Sequence, residues 1–383
     1  MKRYITLFIF CSFALLHADW QDKIDINGYF NVEYEDKVAG DDVSMADEYA
    51  SFDSDMLDIV LNIQATEKLR VAIDFTWEHG AQSEIAKGNV GYEYAFAEYT
   101  FSDKFKLRAG KMFTPFGIYN EIHTAKPSVM IVKEPNATNK MYFISRDKYE
   151  QIMLYPRWGT GLAILGNSEI MNIPFNYNLQ IANGDTVYGS GQNEYNKDDN
   201  NKKSITARIR ANVTDDLELG VSYHQDTMVF YDKVYVGETK YDVDGNALNY
   251  VSKEYIPTAT MDVNTQGIQL IWYPNDSIRF EAEYMSGKLD IEGVKSFRRS
   301  GYTLLPSYSI TDNINIFFLY AKADPNHNVD SNSVVNYSPG INFEFDHNVF
   351  LKLDYFTVES EKNNSLYAGK HYSELRAALA IGF

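Results

Sequence analysis

From Ile24 onward the hydrophobic and polar positions of this chain alternate with a period of two. Ile24, Ile26, Gly28, Phe30, Val32 and Tyr34 take turns with Asp25, Asn27, Tyr29, Asn31 and Glu33, which places one set on each face of a β-strand. The pattern returns over Leu57–Ala65 and over Leu69–Trp77, and Thr66–Lys68 between them reads as a hairpin turn. Continuing along the chain gives sixteen candidate strands. Three of their apolar faces are Leu217, Leu219, Val221 and Tyr223; Ile278, Phe280, Ala282 and Tyr284; and Val349, Leu351, Leu353 and Tyr355. The last strand carries Leu375, Ala377, Leu379, Ile381 and Phe383 opposite Glu374, Arg376, Ala378 and Ala380.

The connections are sorted by parity. Short turns at Thr66–Lys68, Ser102–Lys104, Thr214–Asp216, Pro274–Asp276, Thr311–Asn313 and Asp346–His347 alternate with long polar loops at Glu35–Ser54, Thr114–Pro156, Asp185–Lys202, Thr227–Val263 and Glu359–His371. An antiparallel meander with tight turns on one rim and extended loops on the other produces this order, as outer-membrane barrels do. A soluble sandwich has no reason to sort its loops in this way.

In lipid every backbone N–H and C=O needs an internal partner, so a sheet can cross a membrane only by closing on itself. Strands of about 10 residues suffice to span when tilted. The expected fold is therefore all-β, a transmembrane antiparallel β-barrel of about 16 strands. Its apolar faces turn outward and its polar faces line a watery lumen. Sixteen strands leave such a lumen open, whereas about eight would fill it with their own side chains. Tyr34, Trp77, Tyr99, Phe101, Trp272, Tyr273 and Tyr308, near strand ends, fit aromatic girdles at the two membrane interfaces.

Composition narrows the setting. The 29 Tyr and 23 Phe among 383 residues are too many for a disordered chain. Lys2 and Arg3 followed by the apolar run Tyr4–Leu16 read as a signal peptide over residues 1–18, which leaves 19–383 as a single barrel domain. Cys11, the sole cysteine, lies in that leader, so the exported chain carries no thiol for disulfide, metal or nucleophile chemistry. With Lys2 and Arg3 removed, 33 basic residues face 53 acidic ones, a balance that disfavours nucleic acid as a partner. Glu35–Asp55 alone holds eight acids and one lysine and reads as a solvated outer loop, with a cation-attracting vestibule as the alternative.

The terminal run Leu375–Phe383 resembles the C-terminal signature of Gram-negative outer-membrane proteins, which the barrel assembly machinery recognises. The segments Leu107–Gly117 (LRAGKMFTPFG), Tyr177–Gly184 (YNLQIANG) and Glu281–Tyr284 (EAEY) are similar in order to those of the phosphate-selective porin O/P family. The resemblance covers about Ile24 to Phe383. It implies a homotrimeric sixteen-stranded porin in outer-membrane lipid, whose third long loop, the one after the fifth strand, folds inward and narrows the pore. Here that loop is Thr114–Pro156. The family's phosphate preference is not carried over, because no concentrated set of pore lysines is present.

The alternation itself turns Arg70, Lys106, Arg108, Arg208, Arg210, Arg279, Lys352 and Arg376 inward, with Glu98, Glu218, Glu281, Glu283, Asp354 and Glu374. The inward loop adds Glu121, His123, Lys126 and Lys133. The candidate constriction is accordingly Lys106, Arg108, Glu121, His123, Lys126, Lys133, Arg208, Arg210, Arg279 and Glu281, whose charges would act on a passing ion in a low-dielectric throat. The same charges can also simply pair with one another and solvate the wall. The histidines show no pair at metal-ligand spacing, and there is no G-x-S-x-G and no phosphate-cradling G-x-x-x-x-G-K. The expectation is a cofactor-free, metal-free, non-enzymatic channel for small hydrophilic solutes or ions, possible solutes being phosphate or small organic acids. The runner-up is a non-conducting barrel with a structural or adhesive role through its acidic outer loops.

Overall fold

A computed structural model describes residues 23–41, 50–78, 90–122, 125–135, 137–138, 154–184, 200–241, 247–364 and 367–383, with backbone alone at 78 and over 230–241 and 247–258. The expected leader, Cys11 and His123 lie outside the described residues. The strands are β1 (Ile24–Gly40), β2 (Ser51–Gln64), β3 (Leu69–Glu78), β4 (Gly91–Ser102), β5 (Phe105–Phe113), β6 (Trp158–Ile170), β7 (Ile173–Asn183) and β8 (Lys203–Thr214). They continue with β9 (Leu217–Tyr241), β10 (Ala247–Asn275), β11 (Ile278–Ile291), β12 (Phe297–Thr311), β13 (Ile314–Asp324), β14 (Val334–Asp346), β15 (Val349–Ser360) and β16 (His371–Gly382). Each pairs antiparallel with its neighbours in sequence, and β16 returns to β1 to close the barrel. Closure reaches the last residue: Gly28 and Phe383 exchange backbone hydrogen bonds of 2.8 and 3.0 Å.

The two faces have traded roles relative to a soluble protein. Leu162, Ile181, Val221, Ile268 and Leu375 lie on the outside, with Ile268 60% exposed. Glu98, Arg208, Glu281, Glu283, Asp354, Glu374 and Arg376 are buried within. Buried charges persist only where they are paired, hydrogen-bonded or hydrated, and an outward belt of aliphatic side chains is stable only against an apolar surrounding. Aromatic rings flank the belt. Tyr99, Phe101, Trp272, Tyr273 and Tyr308 are exposed toward the short-turn rim. Toward the other rim Tyr302, Tyr320 and Tyr337 form a row with ring centroids 5.8 Å apart at each step.

Two local readings of the sequence are corrected and one turn is added. The stretch Thr227–Val263, expected as a polar loop, is mostly the tip of a 25-residue and a 29-residue strand, paired from Met228↔Met261 to Tyr241↔Ala247. Its polar residues are interleaved with Val229, Tyr231, Val234, Val236, Tyr255 and Ile256, whose β-preference outweighs the composition. The stretch Glu35–Ser54 likewise loses both ends to strands, because Glu35 and Lys37 pair with Arg376 and Glu374 of β16. A further tight turn joins β6 to β7 through Met171 and Asn172, both at positive φ of 53° and 63°, the geometry of a two-residue hairpin; its apolar flanks Ile170 and Ile173 hide it from a composition-based reading.

Candidate pore constriction

The described part of the segment between β5 and β6 lies inside the barrel. Its base is closed by the Thr114 N–H donating to the Arg157 carbonyl at 2.9 Å, and by Asn120 Nδ2 donating to the carbonyls of Thr114 and Arg157. Phe116 then stacks on Tyr155, with ring centroids 4.4 Å apart. Gly117 turns at φ +65°, where a Cβ would stand 2.6 Å from Glu283 Oε1 and 2.8 Å from Met285 Cε, so only glycine fits.

The wall receives this turn with matched polar groups. Ser222 Oγ accepts from the Gly117 N–H at 3.3 Å, Arg208 Nη1 donates to the Gly117 carbonyl at 3.3 Å, and Glu283 accepts from the Ile118 N–H. Tyr119 donates its hydroxyl to Glu281 Oε2 at 2.6 Å. Beyond that point the wall becomes apolar: Ile118, Val129 and Ile131 pack on Leu305, Phe317 and Leu319, which point into the barrel from β12 and β13. The burial of these side chains is what keeps the loop against one side of the lumen.

Opposite remains a cavity of about 220 Å³. Lys106, Arg108, Glu121, Arg208 and Arg210 line it together with Asn167, Asn176, Tyr177 and Asn178. Arg208 pairs with Glu121, Arg108 with Glu98 at 2.7 Å, and Arg210 with Glu218 at 3.8 Å. Lys106 makes no ion pair among the described residues. Burial pushes the Glu121 carboxyl up, but the Arg208 guanidinium, helped by Arg210 and Arg108, outweighs this and holds it below the usual carboxylate range. Glu121 lines the cavity and Glu98 and Glu218 stand behind it, so three carboxylates face these four cations and Lys106 leaves an excess of one positive charge.

The other candidate residues lie elsewhere. Arg279 pairs with Glu281 at 2.7 Å beside the loop anchor. Lys126 and Lys133 are across the barrel in an acidic nest on β1 and β2. There Lys126 is 3.8, 3.4 and 3.6 Å from Glu33, Asp55 and Glu134, and Lys133 pairs with Glu33 and Glu35. These carboxylates hold both ammonium groups more strongly protonated than usual, against the opposing effect of burial. Sequence reasoning missed Asn167, Asn176, Tyr177 and Asn178, although Asn176 and Asn178 share the inward alternation of β7. The search followed charge, and their amides carry none. Among the described residues no three His, Cys, Asp or Glu are grouped to hold a metal ion.

No family model matches the chain. An uncharacterised protein of Aquifex aeolicus is 26% identical over 163 residues, covering 42% of this chain and 32% of that protein; the chain thus spans about a third of the length of the relative it matches. Solved structures share the architecture. An anion-selective porin from Comamonas acidovorans superposes with a TM-score of 0.62 at 11% identity, covering 94% of this chain and 99% of that one. The outer membrane channel DcaP of Acinetobacter baumannii gives 0.56 at 9% identity, with 94% and 97% covered. In-vitro folded OmpT of Vibrio cholerae, in its trimer form, gives 0.54 at 9% identity, with 94% and 99% covered. The fold is the sixteen-stranded barrel of the outer-membrane porins.

Proposed function

We propose that the protein is an outer-membrane porin, a passive diffusion channel whose inward loop leaves a positively lined throat favouring small anions. The observation that carries this reading is the shared cavity of Lys106, Arg108, Arg208 and Arg210 around Glu121. Fixed cations beside low-dielectric walls raise the local concentration of anions without any covalent step. The neighbour described as an anion-selective porin supports the sign, and the one described as a channel supports passage. The lining is mainly arginine with side-chain amides, a donor set suited to carboxylates and phosphate alike; small organic acids and phosphate are the solutes proposed.

The same reading includes export by the leader, residence in a Gram-negative outer membrane, and folding through recognition of the strand ending at Phe383. It also includes assembly as a homotrimer, as in the trimer form of the Vibrio cholerae neighbour. The test is conductance of the purified protein in a planar bilayer under a salt gradient. Discrete current steps with a reversal potential on the anion side are expected. Silence from well-folded barrels would support a structural or adhesive barrel instead, and a cation-side potential would overturn the assigned sign.

A further inference from the structure

The loop is gripped at a second place, far from the throat. Within the loop, Lys126–Ser128 forms a single 3-10 turn lying against β16 and β1. Two inward side chains, Asn342 on β14 and Lys352 on β15, sit directly opposite each other in the strand register. Lys352 Nζ donates to the carbonyl of Lys126 at 2.5 Å and to that of Val129, while Asn342 Nδ2 donates to the carbonyl of Met130 at 2.7 Å. Three backbone carbonyls of one elbow are thus held by one cross-strand pair.

What makes this informative is the burial. Lys352 is 1% exposed, and its amino group donates to two carbonyls of the loop. A buried polar group is costly unless it is hydrogen-bonded, and the inward positions nearby, Leu305, Phe317 and Leu319, hold the same loop by apolar packing alone. Packing fixes a loop against a wall but lets it slide, whereas an amino group with its donors on two carbonyls fixes the position of the main chain.

Resting on the channel reading above, we infer that Lys352 and Asn342 are positioning residues. They set how far the elbow at Lys126–Met130 stands from the β14–β15 wall, and so the width of the passage left on the opposite side. Neither belongs to the lining of the arginine cavity, so they act on pore size and steadiness rather than on ion sign.

The test compares Lys352→Met, Lys352→Arg and Asn342→Leu with the unmodified protein, by bilayer recording and by tryptic cleavage of the folded barrel after Lys133. For Lys352→Met the uniform step should break into several levels with a larger mean, the reversal potential should stay in place, and cleavage should become several-fold faster. Lys352→Arg, which keeps the charge and its donors, should restore the uniform step, and Asn342→Leu should give a weaker form of the Met effect. An unbroken step in folded Lys352→Met would overturn the inference. A reversal potential moved toward cations would overturn it too, by making Lys352 a pore-lining charge. If no form of the protein conducts, the channel reading fails by itself; cleavage then decides, and equal rates for Lys352→Met and the unmodified protein would sink the clamp.

Discussion

Arg376 on β16 grips Asp354 on β15 through two parallel hydrogen bonds, Nε to Oδ1 at 2.7 Å and Nη2 to Oδ2 at 2.9 Å, between positions directly opposite in the strand register. Both residues are buried, and the guanidinium lies 3.9 Å from the centre of the Phe356 ring. The pair thus joins the closing strand to its neighbour from inside the lumen. Removing Asp354 takes away two of the buried guanidinium's hydrogen bonds and leaves the weaker one to Ser338 Oγ at 3.4 Å. Asp354→Ala is therefore expected to cost about 3–5 kcal/mol, read as a lower midpoint in denaturant unfolding of the detergent-solubilised barrel. A midpoint unchanged by the substitution would mean that the pair is well hydrated.

Selectivity should follow the throat. Neutralising Arg208 and Arg210 together, as Arg208→Gln with Arg210→Gln, is expected to move the reversal potential toward cations. Glu121→Gln should move it further toward anions, because the carboxylate that faces into the cavity and pairs Arg208 is then gone. If neither variant shifts the potential, these residues do not face the ion path.

Acid should act late. The Glu121 carboxyl is held below the usual carboxylate range, so its charge and its ion pair with Arg208 are present at neutral pH and above its ordinary value. They are lost only as pH falls through the lower folded value. The contribution of Glu121 to ion preference should then stay constant from pH 7 down to the ordinary carboxylate value of about 4.3 and change, toward anions, only below it. In Arg208→Gln the main opposing charge is absent, burial is less opposed, and the change should begin at higher pH. Reversal potentials recorded across the acid range check both curves.

Backbone geometry gives a further handle. Gly117→Ala forces a Cβ into the Glu283 carboxylate at a left-handed φ, at a cost of about 1–3 kcal/mol. The expected readout is noisier single-channel current together with an unfolding midpoint lowered by less than in Asp354→Ala, since the strain can be relieved by undocking the loop turn without breaking the strand ladder. Quiet traces identical to those of the unmodified protein would contradict this.

Alternation made the strands legible because it is local. Each of Leu217, Leu219, Val221 and Tyr223 carries its own instruction to face the apolar side, whatever lies across the sheet. The inward set read from it, including Arg108, Arg208, Glu283 and Lys352, is the buried or half-buried set of the barrel. Turn chemistry was legible where polar residues mark it and obscure at Met171 and Asn172. The long β9–β10 hairpin escaped notice because its polar composition suggests a loop while its pairing satisfies the backbone regardless.

By itself, then, the chain's order of residues determined that it must close a ring, which face of each strand meets water, and that the fifth strand is followed by a segment long enough to enter the lumen. Where that segment lies was decided only by tertiary structure. Lys126 meets Glu33 and Asp55, Gly117 meets Arg208 and Glu283, and Met130 meets Asn342, all pairings between residues far apart in sequence that exist only once sixteen registers are set. A loop's conformation has no period of its own to read. It is chosen by the wall it docks against, and that wall separated the lysines that neutralise an acidic nest from the arginines that surround the throat.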